Sequence, residues 1–105
     1  MKTIYNDIIP FKGFTAINLF GVIFARKGEV ISERTIRHES IHTAQMKELW
    51  YLPFYLWYLF EWLIKLFRYG RKSYNNISFE REAYMFEYYS NYVQTRKKFA
   101  FLKYL

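Results

Sequence analysis

Arg37-His38-Glu39-Ser40-Ile41-His42-Thr43-Ala44-Gln45 is the stretch around which the chain is organised. It holds both histidines of the 105 residues, four apart, with a glutamate directly after the first. On a helix, residues four apart lie on one face, one turn above each other. Two imidazoles so placed can hold one zinc ion. The glutamate between them points toward the same cleft, where it can act as a general base. A helix start lies just upstream. The Ser32 hydroxyl can accept from free amides of the first turn, and Glu33 follows where the helix dipole favours an acid. The first helix is therefore expected from about Glu33 to Glu48, with Ile36, Ile41, Ala44 and Leu49 turned inward.

A chain of this length makes one domain with a single modest core. It has no cysteine, which excludes disulfides and thiolate metal ligands. A bound metal must then take nitrogen and oxygen donors. Aromatic residues make up 24% of the chain, enough to build the core and to leave an exposed aromatic patch at a partner, a membrane surface or a self-interface. The net charge of +7 allows attraction to anionic lipid or an acidic partner. Its basic residues are scattered or in short clusters, and no nucleic-acid-reading module appears, so no nucleic acid is expected. Met1 to Lys12 does not read as a signal peptide, because Asp7 and Pro10 interrupt it and it has no apolar run. The expected location is the cytoplasm, with membrane association as a further reading.

Before the motif, Met1 to Gly13 reads as an extended or irregular lead-in punctuated by Pro10 and Gly13. Phe14 to Arg26 reads as one or two short strands, such as a hairpin. After it, Trp50 to Leu52 is a short connection. Pro53 suits the first turn of a second helix reaching about Tyr69, with Gly70 as its C-cap. Within that helix Glu61 and Lys65 can pair on one face, and Leu56, Leu59, Phe60, Leu63 and Phe67 form the opposite stripe. The stripe suits a buried or homodimer-facing helix, or one lying on a membrane surface. The two mid-segment charges weigh against a spanning helix. Arg71 to Ile77 is a polar loop. Ser78 is the next N-cap, and a long last helix is expected from Phe79 to about Lys98. The fold class is mainly α with a small β-sheet, with about three helices.

Two histidines do not complete a zinc site, which needs at least three protein ligands. The third is sought in Ser78-Phe79-Glu80-Arg81-Glu82-Ala83-Tyr84, where a carboxylate at a helix start is easily aimed at a cleft. Glu80 and Glu82 are the candidates, with Glu87 behind them; helix-dipole stabilisation would explain Glu80 and Glu82 equally well without a metal.

These two stretches together resemble the gluzincin metallopeptidases, in which an H-E-x-x-H helix is followed by a helix supplying a glutamate, often in E-x-x-A-D. Here the corresponding residues run Glu80-Arg81-Glu82-Ala83-Tyr84, with tyrosine where aspartate is usual. The small size is most like the minimal members of that group. The resemblance implies zinc held by His38, His42 and Glu80, with Glu82 as the alternative ligand, Glu39 as catalytic base, and a peptide or protein substrate. Gln45 is a candidate partner for the second nitrogen of His42. Tyr74, Tyr84 and Arg81 are candidate donors to a developing oxyanion. The Phe14 to Phe24 strands offer an edge on which an extended peptide can add. A catalytically silent zinc-binding interaction module and a basic, aromatic membrane-surface protein remain the alternatives.

Overall fold

The computed structural model describes residues 1–10 and 14–105, so the turn expected at Gly13 lies outside the described residues. The fold is α+β, a three-stranded sheet beside a group of helices. Strand β1 (Thr3–Asn6) lies within the lead-in, where the sequence predicts an extended or irregular chain. It pairs in parallel with β3 (Val22–Arg26), whose other edge pairs antiparallel with β2 (Ala16–Leu19). The hairpin turns at Phe20 and Gly21. Gly21 has φ +90°, a conformation that favours glycine, and its α-carbon faces Thr43. Along β3, Ile23 and Ala25 are fully buried between half-exposed neighbours, the alternation of a strand with one face covered.

Helix α1 (Glu33–Glu48) begins where the cap places it, with the Thr35 amide donating to the Ser32 hydroxyl. Asn18 of β2 docks the sheet onto it by donating to the Glu39 carbonyl at 3.0 Å and to Thr43 Oγ1 at 3.1 Å. Helix α2 (Leu52–Tyr69) carries Pro53 in its first turn and ends at Gly70, φ +58°. The loop that follows is wound into two short 3-10 turns, Gly70–Lys72 and Tyr74–Asn76. Helix α3 (Ser78–Phe86) then packs on α1.

Three expectations are corrected. The apolar stripe of α2 faces outward, which overturns the buried reading of that helix but not the homodimer or membrane-surface ones, and its charged side faces inward: Glu61 and Lys65 are buried, while Phe67 is 93% exposed. Glu61 accepts from the Ser78 amide and from Ser78 Oγ at 2.6 Å, and Lys65 Nζ donates to the Asn76 carbonyl at 2.8 Å. Secondly, Ser78 does not cap α3 with its own hydroxyl. The α2 carboxylate takes that role, meeting donors that a helix start leaves free. Thirdly, the long last helix stops after nine residues. Arg37 Nε donates to the Glu87 carbonyl at 2.6 Å, and the chain doubles back into a one-turn helix α4 (Tyr92–Thr95). Tyr92 stacks on Phe86 with ring centres 3.9 Å apart. A straight helix would carry Arg96 roughly 21 Å along the axis from Glu82, whereas the reversal brings the two into a buried ion pair.

The core gathers Met46, Phe54, Ile77 and Phe79 with Phe101 from a C-terminal 3-10 turn (Ala100–Tyr104). Phe101 meets Phe79 at 4.6 Å and Trp57 at 5.2 Å between ring centres.

Candidate metal centre

Helix geometry alone puts His38 and His42 on one face of α1, and both are buried. Packing of α3 against that face delivers Glu80. Its Oε1 lies 3.0 Å from His38 Nε2 and 3.0 Å from His42 Nε2, and the two nitrogens are 3.2 Å apart. Three donor atoms each about 2.0–2.1 Å from one tetrahedral ion would stand roughly 3.3 Å apart. The spacing fits, and this buried group could hold a metal ion.

The proton arrangement fits as well. Gln45 is fully buried, and its amide nitrogen donates to the Phe79 carbonyl at 3.1 Å and to Glu82 Oε1 at 3.0 Å. That orientation turns Gln45 Oε1 toward His42 Nδ1 at 2.8 Å, so Nδ1 carries the proton. A neutral His42 then presents the Nε2 lone pair to the Glu80 carboxylate, an arrangement that requires a proton or a cation between them. Without a metal the proton supplies it. Burial alone would push His42 down, but Glu80 beside it, by charge and hydrogen bond, holds it up at about 9. Burial would likewise raise Glu80, but the two imidazoles keep it well below the usual carboxylate range.

Of the remaining candidate residues, some border this triad and others are held elsewhere. Glu39 is not among the converging donors; it lines a cavity of about 450 Å³ that His42 and Glu80 also border. The wall opposite α1 comes from β2, an edge strand, and from Phe54, Tyr55 and Tyr58 of α2, so the short chain builds both sides of the cleft itself. Tyr74 lines the same cavity. Burial first, then the nearby Glu80 charge, push its hydroxyl far above the ordinary tyrosine value, so it stays a proton donor at neutral pH. Tyr84 packs its ring edge-on against His38 with centres 4.5 Å apart.

Arg81 is turned away from the cavity. It donates to the Tyr104 carbonyl at 2.7 Å and to Asn76 Oδ1 at 2.9 Å, which ties down the C-terminal turn and removes it as an oxyanion donor. Glu82 is not among the converging donors. It is 0% exposed and fully engaged, accepting from Gln45, from Tyr92 Oη at 2.7 Å, and from Arg96 Nε at 2.7 Å and Nη2 at 3.0 Å. Arg96 also pairs with Glu48. Glu87 sits behind His38 instead of at the triad, with Oε2 3.4 Å from Nδ1. Among the described residues that nitrogen makes no hydrogen bond, and Glu87 is the carboxylate placed to orient it.

Tyr58 is the residue that sequence reasoning missed. Its hydroxyl donates to Glu80 Oε2 at 2.7 Å and holds the carboxylate with Oε1 toward the histidines. The available signal was its spacing: Tyr58, Glu61 and Lys65 recur at i, i+3 and i+7, on the face that turns inward. Comparison with family models, with curated proteins and with solved structures finds no match for this chain.

Proposed function

We propose that this protein is a small zinc-dependent metallopeptidase, with His38, His42 and Glu80 holding the ion. The observation that carries the reading is the buried meeting of two Nε2 atoms and one carboxylate oxygen within 3.2 Å, at the edge of a cavity that Glu39 also borders. Nitrogen and oxygen donors in a compact set of three, with a neighbouring carboxylate that is not among the converging donors, match a catalytic zinc site better than a structural one. Zinc bound there supplies a Lewis acid and makes water a nucleophile near neutral pH.

The chain's own groups do the rest. Glu39 takes the proton of the attacking water and passes it to the leaving amine. Tyr74 donates to the oxygen that gains charge at the attacked carbonyl. An extended peptide lies along β2, where Ala16 and Ile17 border the cavity. Tyr55 already covers the far end of that edge, accepting from the Phe20 amide and donating to the Asn18 carbonyl. The space next to the triad is bounded mainly by hydrocarbon and aromatic rings such as Ile17, Leu19, Met46 and Phe54, which suits an apolar substrate side chain.

The test is Glu39→Gln, with zinc content and peptide cleavage both measured. Zinc is retained and cleavage falls by about 10²–10⁴-fold, the share usually carried by a positioned acid–base group. Unchanged cleavage in this variant rejects the role of Glu39. A zinc-loaded wild type without cleavage replaces the reading with a silent metal-binding module.

A further inference from the structure

Helix α2 buries its charges and exposes its hydrocarbon. Leu56, Leu59, Phe60, Leu63, Ile64 and Phe67 are 43% to 93% exposed. At 100° per residue they cover an arc of roughly 140° on the outer side, and every residue within that arc is apolar. Protein interfaces carry about one hydrogen bond per 100–200 Å² and a polar rim; this face presents no polar side chain to make one. Its C-terminal end is basic, with Arg68, Arg71 and Lys72 all exposed. No acidic residue lies between Glu61 and Glu80. The exposed acids are Asp7, Glu29 and Glu33, just after β1, in the loop after β3 and at the start of α1. A second copy laid face to face on α2 therefore has no acid there to meet the basic end. An anionic surface does.

We propose that the outer face of α2 docks in the plane of an anionic lipid surface. The apolar arc enters the acyl boundary, and Arg68, Arg71 and Lys72 meet the headgroups. The helix lies flat because its inner side is tethered. Glu61 caps α3 and Lys65 holds the Asn76 carbonyl, and a spanning pose would drag both charges into hydrocarbon. Among the described residues no helix is long and apolar enough to cross a membrane. The residues of the same helix that border the cavity, Phe54, Tyr55 and Tyr58, lie outside the apolar arc. This inference is independent of the metal reading.

Flotation of the 105-residue chain with phosphatidylcholine vesicles, with and without phosphatidylglycerol, tests it. Wild type floats with the phosphatidylglycerol vesicles and is weakened by salt. The double change Phe60→Glu, Leu63→Glu weakens binding at least tenfold, by roughly the loss of one buried apolar side chain or more. Arg68→Glu, Arg71→Glu and Lys72→Glu each weaken it about fivefold or more. All of these side chains are exposed, so circular dichroism stays that of the wild type. Three results overturn the proposal. One is wild type that ignores anionic vesicles. Another is an apolar-face variant that binds as well as wild type. The last is a dimer by light scattering that does not float and that Phe60→Glu, Leu63→Glu dissociates, which assigns the face to a second copy.

Discussion

Replacing Glu61 with leucine adds an apolar helix former to a helix that is already mostly apolar, and hydropathy alone expects no harm. The structure expects the reverse. Glu61 is 6% exposed and accepts from the Ser78 amide, from Ser78 Oγ at 2.6 Å and from the Trp57 indole at 3.2 Å, with Lys65 Nζ 3.6 Å away. A leucine leaves the Ser78 amide and hydroxyl without an acceptor, at about 1–3 kcal/mol for a buried unsatisfied donor. It also strips Lys65 of its counter-charge, and breaking a buried pair costs about 3–5 kcal/mol. Lys65 keeps the Asn76 carbonyl, and contributions that share partners do not add. The expected total is about 3–5 kcal/mol, a large part of the roughly 5–15 kcal/mol that holds a domain together. Urea unfolding followed by circular dichroism should show a lower midpoint with an unchanged slope. Thermal unfolding should fall by roughly 12–40 °C, at about 4–8 °C per kcal/mol. Leu63→Glu, on the exposed side, should stay within about 0.5 kcal/mol of wild type. A leucine variant as stable as wild type, or a Leu63→Glu cost of similar size, would refute the inverted seating of α2.

Gln45→Leu should weaken zinc binding about 10–100-fold, since His42 Nδ1 loses the acceptor that sets its tautomer; competition against a chromophoric chelator reads this, and unchanged affinity removes Gln45 from the site. The metal-free protein should be most stable between about pH 4.5 and 6.5, the ordinary values of Glu80 and His42. The His42 contribution, from a folded value raised to about 9, is complete below 6.5 and lost as pH rises through 9. The Glu80 contribution, from a depressed value, is complete above 4.5 and lost on acidification. Thermal melts with chelator across this range check both, and a flat profile from pH 6.5 to 9 contradicts the His42–Glu80 coupling.

Much of the fold was legible because its signals are local. The cap at Ser32, the proline at 53 and the glycine at 70 act through the backbone of their own turn, and the start of α1 and both ends of α2 fall within a residue or so of them. Strand β1 was not legible as a strand, since four residues with one polar end gain their ladder only from a partner twenty positions away. The last helix was over-extended for a related reason. Nothing local stops it at Phe86; the stop comes from Arg37 on the Glu87 carbonyl and from Arg96 reaching back to Glu82.

The spacing of His38 and His42 by itself determined that two imidazole nitrogens would share one side of a helix, because rise and twist per residue do not depend on what surrounds the helix. Which carboxylate joins them was decided only by tertiary structure. Glu80 and Glu82 sit about 200° apart around α3, so the choice rests on how that helix is rolled. Its roll is held by Ile77 and Phe79 in the core, by Glu61 on Ser78, and by Arg96 on Glu82. The facing of α2 was decided the same way. Its stripe pattern is equally sharp from either side, and the balance is struck by two buried charges whose partners lie on other elements.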